Sequence, residues 1–88
     1  MVSDQDIKAL ADRIATEFHP QRIVLFGSRA AGRAREDSDI DLLVVLDFDG
    51  PAYLKAAEIR AGLSAELPID IVARTPADKE LWVNRNRH

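Results

Sequence analysis

Apolar residues recur every three or four positions near the start of the chain, and this spacing predicts an amphipathic helix from about Asp4 to Phe18. Its apolar face consists of Ile7, Leu10, Ala11, Ile14 and Phe18. Ser3 and Asp6 stand three residues apart at the beginning, as in a capping box. Pro20 follows the end, and proline disfavours helical backbone at the residue before it. The first predicted element is therefore a helix with a start and a stop signal.

Three short runs with strand character lie further along the chain. Residues 22–26 (RIVLF) are rich in β-branched and aromatic side chains and end at a glycine. Residues 39–46 (DIDLLVVL) are apolar on both faces after Asp41, which indicates a strand that is buried on both sides. Residues 69–73 (IDIVA) alternate between apolar and other positions, as a third strand would.

Helical segments separate and follow these strands. Residues 28–35 are compatible with one or two helical turns. Pro51 is suited to open the next helix, and Thr75 and Pro76 are predicted as the cap and first position of a last helix that runs through Trp82. The middle helix has one apolar face, formed by Ala52, Ala56, Ile59 and Leu63. The predicted order is α-β-α-β-α-β-α, an α/β fold (α+β in some schemes) in a single domain over residues 1–88.

The lengths of the connections predict the strand directions. About a dozen residues join the first two strands, which is near the minimum for a parallel crossover, so we expect antiparallel pairing. The link to the third strand is about twice as long and contains a helix, as a right-handed parallel crossover requires. The result is a small mixed three-stranded sheet packed with helices. These directions bring Gly27 and Ser28 beside Asp39, Asp41 and Asp70.

Composition and charge exclude several classes of function. The 88 residues contain no cysteine, which rules out disulfides, thiolate metal sites and cysteine nucleophiles. The net charge of -3 disfavours nucleic acid as a partner, because affinity for its backbone comes from Lys and Arg. No run resembles a signal peptide or reaches membrane-spanning length. We therefore expect a cytoplasmic location and no membrane partner.

The acidic residues at the predicted sheet edge suggest a metal site. Asp39 and Asp41 are two residues apart and so point to one face of their strand, and Asp70 is expected nearby. Three neighbouring carboxylates repel one another unless a cation neutralises them. Hard oxygen ligands favour Mg²⁺ or Mn²⁺, and a pair of such ions can stabilise both the attacking and the leaving oxygen in phosphoryl chemistry.

The Gly27-Ser28 turn supplies a complementary phosphate site. Glycine lets the backbone approach a ligand closely, and Ser28 at a helix start adds a hydroxyl beside unpaired N–H groups. Arg29 and Arg33, one helical turn apart, could add positive charge. A phosphate site facing a carboxylate-metal cluster fits a nucleoside triphosphate.

These residues together resemble a known superfamily. Gly27-Ser28, ten intervening residues, Asp39-Ile40-Asp41 and a later Asp70 within a strand are similar to the nucleotidyltransferases with the polymerase-β-like fold. The stretch GSRAAGRAREDSDIDLLVV looks most like the minimal nucleotidyltransferases (MNT), the antitoxin halves of MNT/HEPN toxin-antitoxin pairs. The similarity covers residues 22–73.

The resemblance implies a role for each matching position. Gly27 and Ser28 would hold the triphosphate of ATP, and Asp39 and Asp41 would bind the divalent metals. Asp70 would be the third carboxylate, as a metal ligand or as the base for the attacking hydroxyl. The implied reaction leaves AMP on the acceptor and releases pyrophosphate. In related pairs the acceptor is a tyrosine of the HEPN toxin, so a hetero-oligomer with such a partner is expected.

Two other functions stay open from the sequence. The protein could neutralise its partner by binding alone, an interpretation favoured by its small size and basic C-terminal end, which contains Arg74, Lys79, Arg85, Arg87 and His88. Alternatively, it could transfer a nucleotide to a small molecule or a nucleic-acid end while a separate helical chain supplies the acceptor pocket.

Overall fold

The computed structural model describes residues 2–35, 38–64 and 66–85, with the side chains of residues 80, 81 and 85 left out. The end of the basic segment, residues 86–88, lies outside the described residues. The elements follow the predicted order: α1 (Asp4–Phe18), β1 (Arg22–Phe26), α2 (Gly27–Ala30), β2 (Ile40–Val45), α3 (Ala52–Ala61), β3 (Ile69–Arg74) and α4 (Pro76–Arg85).

Helix α1 has the predicted bounds and the predicted cap. The Asp6 N–H donates to Ser3 Oγ at 3.1 Å, and the Ser3 N–H donates to the Asp6 carboxylate at 2.9 Å. This reciprocal pair satisfies two backbone donors that a helix start leaves unpaired. At the other end His19 adopts a left-handed conformation, and its N–H donates to the Ala15 carbonyl. Pro20 then prevents any continuation.

The three strands form one mixed sheet in the order β1-β2-β3. Strand β1 pairs antiparallel with β2, and β3 pairs parallel with β2 on its other side. Both directions confirm the predictions from connection length. Phe26, Asp41 and Asp70 lie side by side across the sheet, because Asp41 is the register partner of both others.

The core lies between α1, α3 and one face of the sheet. Its members are buried apolar side chains from these helices, the sheet and the residues just after them: Leu10, Ile14, Ile40, Leu42, Val44, Leu46, Ile59, Leu63, Ile71 and Ala73. Leu43 and Val45, which alternate with this set on β2, are buried too. The central strand is thus covered on both faces, as its continuous apolar run predicts. We call the face that carries Asp41 the site face.

Several boundaries differ by a few residues from the sequence prediction. Strand β2 begins at Ile40, so Asp39 directly precedes it, and Pro51 caps α3 instead of opening it. Helix α2 is a single turn that starts at Gly27, while α4 continues beyond Trp82 to Arg85. These ends have weak local signals, and neighbouring structure decides them.

Among the described residues, none of the helices has the length and apolar character that a membrane span needs.

Candidate active site

Asp41 occupies the centre of the candidate site. It is the second residue of β2 and stands between Phe26 on β1 and Asp70 on β3. Directly paired residues project to the same face of a sheet, so these three side chains share the site face. Asp41 is partly buried, whereas Asp39 and Asp70 are exposed. One carboxylate is therefore partly buried on the central strand, and the other two are exposed to solvent beside it.

The electrostatics of Asp41 depend on both of the other predicted carboxylates. Burial raises the pKa of Asp41 above its ordinary value of 3.8, and the negative charges of Asp70 and Asp39 raise that pKa further. Loss of hydration and nearby like charge both disfavour an ionised carboxylate. A cation placed among the three groups would reverse this penalty, so the donor set fits a divalent ion that prefers oxygen ligands.

The three carboxylates do not form a closed set of ligands around one point in this structure. Among the described residues, no three histidine, cysteine or acidic side chains form a group that could hold a metal. Asp39 and Asp70 are exposed, and exposed side chains exchange readily among staggered rotamers. The backbone brings the three carboxylates to one place, and side-chain rotation would have to complete a three-ligand site.

Gly27 lies against the Asp41 carboxylate. Its φ of +74° is left-handed, and a Cβ at this position would overlap Asp41 Oδ2 and stand 3.1 Å from Cγ. Both the conformation and the space therefore require glycine. This contact joins the β1–α2 turn to the acidic edge of the sheet. Ser28 follows within the first turn of α2, where backbone N–H groups lack intrahelical partners.

The two predicted arginines differ in their surroundings. Arg29 Nε and Nη2 both donate to the Ser38 carbonyl, at 3.2 and 2.7 Å, and Nη2 also approaches the Arg35 carbonyl at 3.5 Å. The Arg33 side chain is exposed, and its backbone N–H donates to the Ser28 carbonyl at 2.8 Å. Phosphate contact by either guanidinium stays a prediction.

The structure adds an aromatic pair that the sequence analysis did not connect with the site. Trp82 of α4 packs edge-on against Phe26, with ring centroids 4.8 Å apart and planes at 74°. Phe26 is the register partner of Asp41, so this pair borders the carboxylates. In the sequence, the position of Phe26 could have linked it to the site, because Phe26 is the last residue of a strand and directly precedes Gly27. The position of Trp82 depends on how α4 packs.

A third arginine, Arg60, also escaped the sequence analysis. It donates from Nη1 to the Ser64 carbonyl and from Nη2 to the Leu67 carbonyl, both at 3.2 Å. The next residue, Pro68, accepts a hydrogen bond from the Ile40 N–H at 2.7 Å. The segments that lead into β2 and β3 are thus joined to each other beside the acidic residues.

Comparison with known proteins identifies the family of this chain. The profile of the family described as nucleotidyltransferase domain matches residues 7–87. A curated relative from Thermococcus cleftensis, named protein adenylyltransferase MntA, is 41% identical over 61 residues, which are 66% of this chain and 60% of that protein. The chain thus matches about three fifths of the length of that relative. No solved structure gives a significant match. The family match spans the strands, the Gly-Ser turn and all three aspartates, and the chain belongs to the nucleotidyltransferase-domain family.

Proposed function

We propose that this protein is a metal-dependent nucleotidyltransferase that transfers AMP from ATP to a partner protein. One observation carries the proposal: Asp41 lies in register with Asp70, beside the charge of Asp39 and in contact range of the Gly27 backbone. This arrangement brings a phosphate-binding turn and a carboxylate cluster to one edge of the sheet. The name of the Thermococcus cleftensis relative, a protein adenylyltransferase, supports a protein as the acceptor.

The β1–α2 turn would bind the triphosphate. Gly27 has no side chain to keep an anion from the backbone, and the N–H groups of the first turn of α2 can donate to phosphate oxygens. The Ser28 hydroxyl adds a neutral donor, and Arg33 offers an exposed positive charge on the same segment. The Asp41 carboxylate beside Gly27 would repel a bare phosphate, which is the reason that a cation is required between them.

Asp39 and Asp41 would hold Mg²⁺ or Mn²⁺, with Asp70 as a third ligand or as the base. When bound, such an ion neutralises the developing charge on the phosphate oxygens and orients the leaving group. Asp39 and Asp70 are exposed and can turn towards the ion, while Asp41 is held by the sheet. The protein thus contributes one fixed carboxylate and two adjustable ones.

The proposed reaction is an in-line displacement at the α-phosphorus of ATP. The acceptor hydroxyl oxygen forms a bond to that phosphorus, and the bond between the phosphorus and the oxygen that leads to the β-phosphate breaks. The hydroxyl proton passes to Asp70 or to water, and pyrophosphate leaves. The product is AMP esterified to the acceptor, with no oxidation or reduction.

The acceptor is proposed to be a tyrosine of a HEPN-type toxin, which would make this protein the antitoxin of a pair. The proposal comes from the resemblance of residues 27–45 to minimal nucleotidyltransferases and is in line with the name of the relative. Such a pair would act in the cytoplasm as a hetero-oligomer. A cell-rescue assay with the toxin tests the antitoxin role directly.

The central experiment compares two double variants in AMP transfer to the cognate toxin from ATP labelled at the α-phosphate. We expect Asp39→Asn with Asp41→Asn to lower transfer at least about 100-fold, the loss typical when electrostatic stabilisation of a transition state is removed. Asp47→Asn with Asp49→Asn is the matched control, because these exposed aspartates lie beyond the opposite end of β2. Circular dichroism verifies that both variants fold.

The same variants separate this proposal from its alternatives. Undiminished transfer by the Asp39 and Asp41 double variant would refute the metal-dependent mechanism. If that variant loses transfer but still rescues cells from the toxin, binding alone neutralises the partner. If the wild-type protein labels a small molecule or a nucleic-acid end instead of the toxin, the acceptor proposal is wrong.

A further inference from the structure

We propose that Arg29 is a positioning residue that fixes the backbone on which Asp39 stands. The inference depends on the proposed function for its catalytic consequence, because Asp39 matters there as a metal ligand. It follows from the contacts of Arg29, whose guanidinium donates to backbone carbonyls of the segment before β2.

The contact between Arg29 and Ser38 spans the two halves of the site. Arg29 directly follows Ser28 in α2, and Ser38 directly precedes Asp39. Two N–H groups of one guanidinium donate to the same carbonyl oxygen, at 3.2 and 2.7 Å, in a partly buried position. A planar guanidinium with two donors fixes an oxygen in direction as well as distance.

The segment around Ser38 is itself folded onto Arg35. The Ser38 N–H donates to the Arg35 carbonyl at 3.1 Å, and the Arg35 N–H donates to Ser38 Oγ at 2.8 Å. Arg29 Nη2 also approaches the Arg35 carbonyl at 3.5 Å. Arg35 and Ser38 are therefore both bound to the same side chain of α2.

The backbone of Asp39 depends on contacts outside the sheet for its position. It is exposed and lies one residue before β2, so the strand does not fix it directly. The Ile40 N–H on one side is bound to the Pro68 carbonyl at 2.7 Å, and the Ser38 carbonyl on the other side is bound to Arg29. Asp39 thus stands between two anchored residues, and removal of the Arg29 contact would release one of them.

Arg60 makes the same kind of contact before β3. Its guanidinium donates to the Ser64 and Leu67 carbonyls, just ahead of the strand that carries Asp70. An arginine from the preceding helix therefore anchors each segment that leads to an acidic strand. This recurrence supports a positioning role for Arg29 at its own segment.

A first experiment measures Mn²⁺ affinity of the full chain without nucleotide, by electron paramagnetic resonance of the free ion. We expect Arg29→Lys and Arg29→Ala each to raise the Kd for Mn²⁺ about 10-fold, the smaller loss seen when a group that orients a metal ligand is removed. Lysine keeps the charge but cannot present two fixed donors. Arg13→Ala is the control, because Arg13 is an exposed residue of α1 paired only loosely with Glu17, at 3.8 Å.

The sign of the effect distinguishes positioning from charge. Removal of a nearby positive charge would by itself tighten the binding of a cation. A weaker Mn²⁺ affinity in both Arg29 variants therefore supports positioning. Unchanged or tighter binding in both would overturn the proposal and would favour a role for Arg29 as a phosphate contact.

A second measurement does not depend on metal binding. If the contact holds the backbone, the amide order parameter of Asp39 should fall from about 0.85, typical of rigid backbone, to below about 0.6 in Arg29→Lys. An unchanged value would overturn the proposal. If the wild-type protein binds no Mn²⁺, the metal-dependent function fails, and these amide data alone decide the role of Arg29.

Discussion

At Asp41 the sheet places a carboxylate where packing alone would favour an apolar side chain. Leu43 and Val45 occupy the same face of β2 and are buried. Asp41 is partly buried too, and it faces the charges of Asp70 and Asp39. Functional sites commonly hold such destabilised groups, because the unfavourable interaction is relieved when the ligand binds.

Asp41→Asn should therefore make the protein more stable at pH 7 than the wild type. The raised pKa of Asp41 means that its ionised form is less favourable in the folded than in the unfolded chain. Below the ordinary value of 3.8 both states are protonated and no penalty exists. As the pH rises through the range from that value to the raised pKa, the wild type loses stability relative to the variant.

Urea unfolding of both proteins from pH 3 to pH 7 provides the measurement. The difference in the free energy of unfolding should grow in favour of the asparagine variant as the pH rises, then level off once Asp41 is fully ionised. A difference that shrinks with rising pH would contradict the assigned cause, because it would mean that the folded state favours the charged carboxylate.

Among the elements, the junction of β1 with α2 is the most constrained. The helix begins directly after the strand, with Gly27 in a left-handed conformation and in contact with Asp41. This contact couples the geometry of the turn to that of the acidic strand. A side chain at residue 27 would displace the carboxylate that the site depends on.

Gly27→Ala should abolish most AMP transfer and destabilise the protein. A left-handed conformation costs a residue with a Cβ about 1–2 kcal/mol, and the overlap with Asp41 adds to this cost. Gly50→Ala is the matched control: Gly50 has a φ of +86°, but a Cβ there would meet nothing within 4 Å. We expect Gly50→Ala to lose a similar amount of stability through backbone strain and to retain transfer.

Chemical denaturation and the labelled-ATP assay measure the two effects separately. If the glycine variants lose stability to the same extent and both retain transfer, the contact between Gly27 and Asp41 has no functional importance. A loss of transfer confined to Gly27→Ala would show that the site needs this turn without a side chain, for the position of the carboxylate or for the approach of phosphate.

At the scale of the whole molecule, the site and the core occupy opposite faces of one small sheet. Helices α1 and α3 bury one face, while Asp41 and the pair of Phe26 and Trp82 lie on the other. The three carboxylates come from two strands and the residue before β2. An ion that bound them would therefore join separate parts of the chain and stabilise the fold as a whole.

Mn²⁺ at about 100 times its Kd should raise the free energy of unfolding by about 2.7 kcal/mol. For a domain of this size, each kcal/mol shifts the melting temperature by about 4–8 °C, so we expect a rise of about 10–20 °C. Differential scanning calorimetry with and without the ion measures it, and chelation by EDTA should reverse it. The double Asp39→Asn, Asp41→Asn variant should show no rise; an equal rise there would place the ion elsewhere.

Much of the fold could be predicted because its signals are local. The capping box of Ser3 and Asp6, the period of the apolar residues in α1 and the continuous apolar run of β2 each depend on neighbouring residues. The strand directions followed from connection lengths, since a short link cannot cross over a sheet. The ends of α2 and α4 were predicted less well, because helix ends depend on packing and backbone hydrogen bonds.

The candidate site was predictable as a set of residues and in its approximate arrangement, but not in its side-chain contacts. Gly27, Ser28, Asp39, Asp41 and Asp70 could be named from their spacing, and the register of the sheet brings Asp41 and Asp70 together as expected. The sequence assigned Arg29 to phosphate, while its observed hydrogen bonds go to the Ser38 carbonyl. Arg60 and the aromatic pair were missed, since nothing local marks a side chain that contacts a distant segment.

The sequence by itself determined the order of the elements, the directions of the strands and the identity of the acidic residues, because periodicity, caps and connection lengths act over a few neighbouring positions. The strand directions also predicted Gly27 near Asp41. Only the tertiary structure decided that the Asp41 carboxylate fills the space of a Cβ at Gly27, that Arg29 binds the carbonyl before Asp39, and that Trp82 packs on Phe26. Those contacts depend on the register of strands and the placement of helices, which are set by the packing of the whole chain.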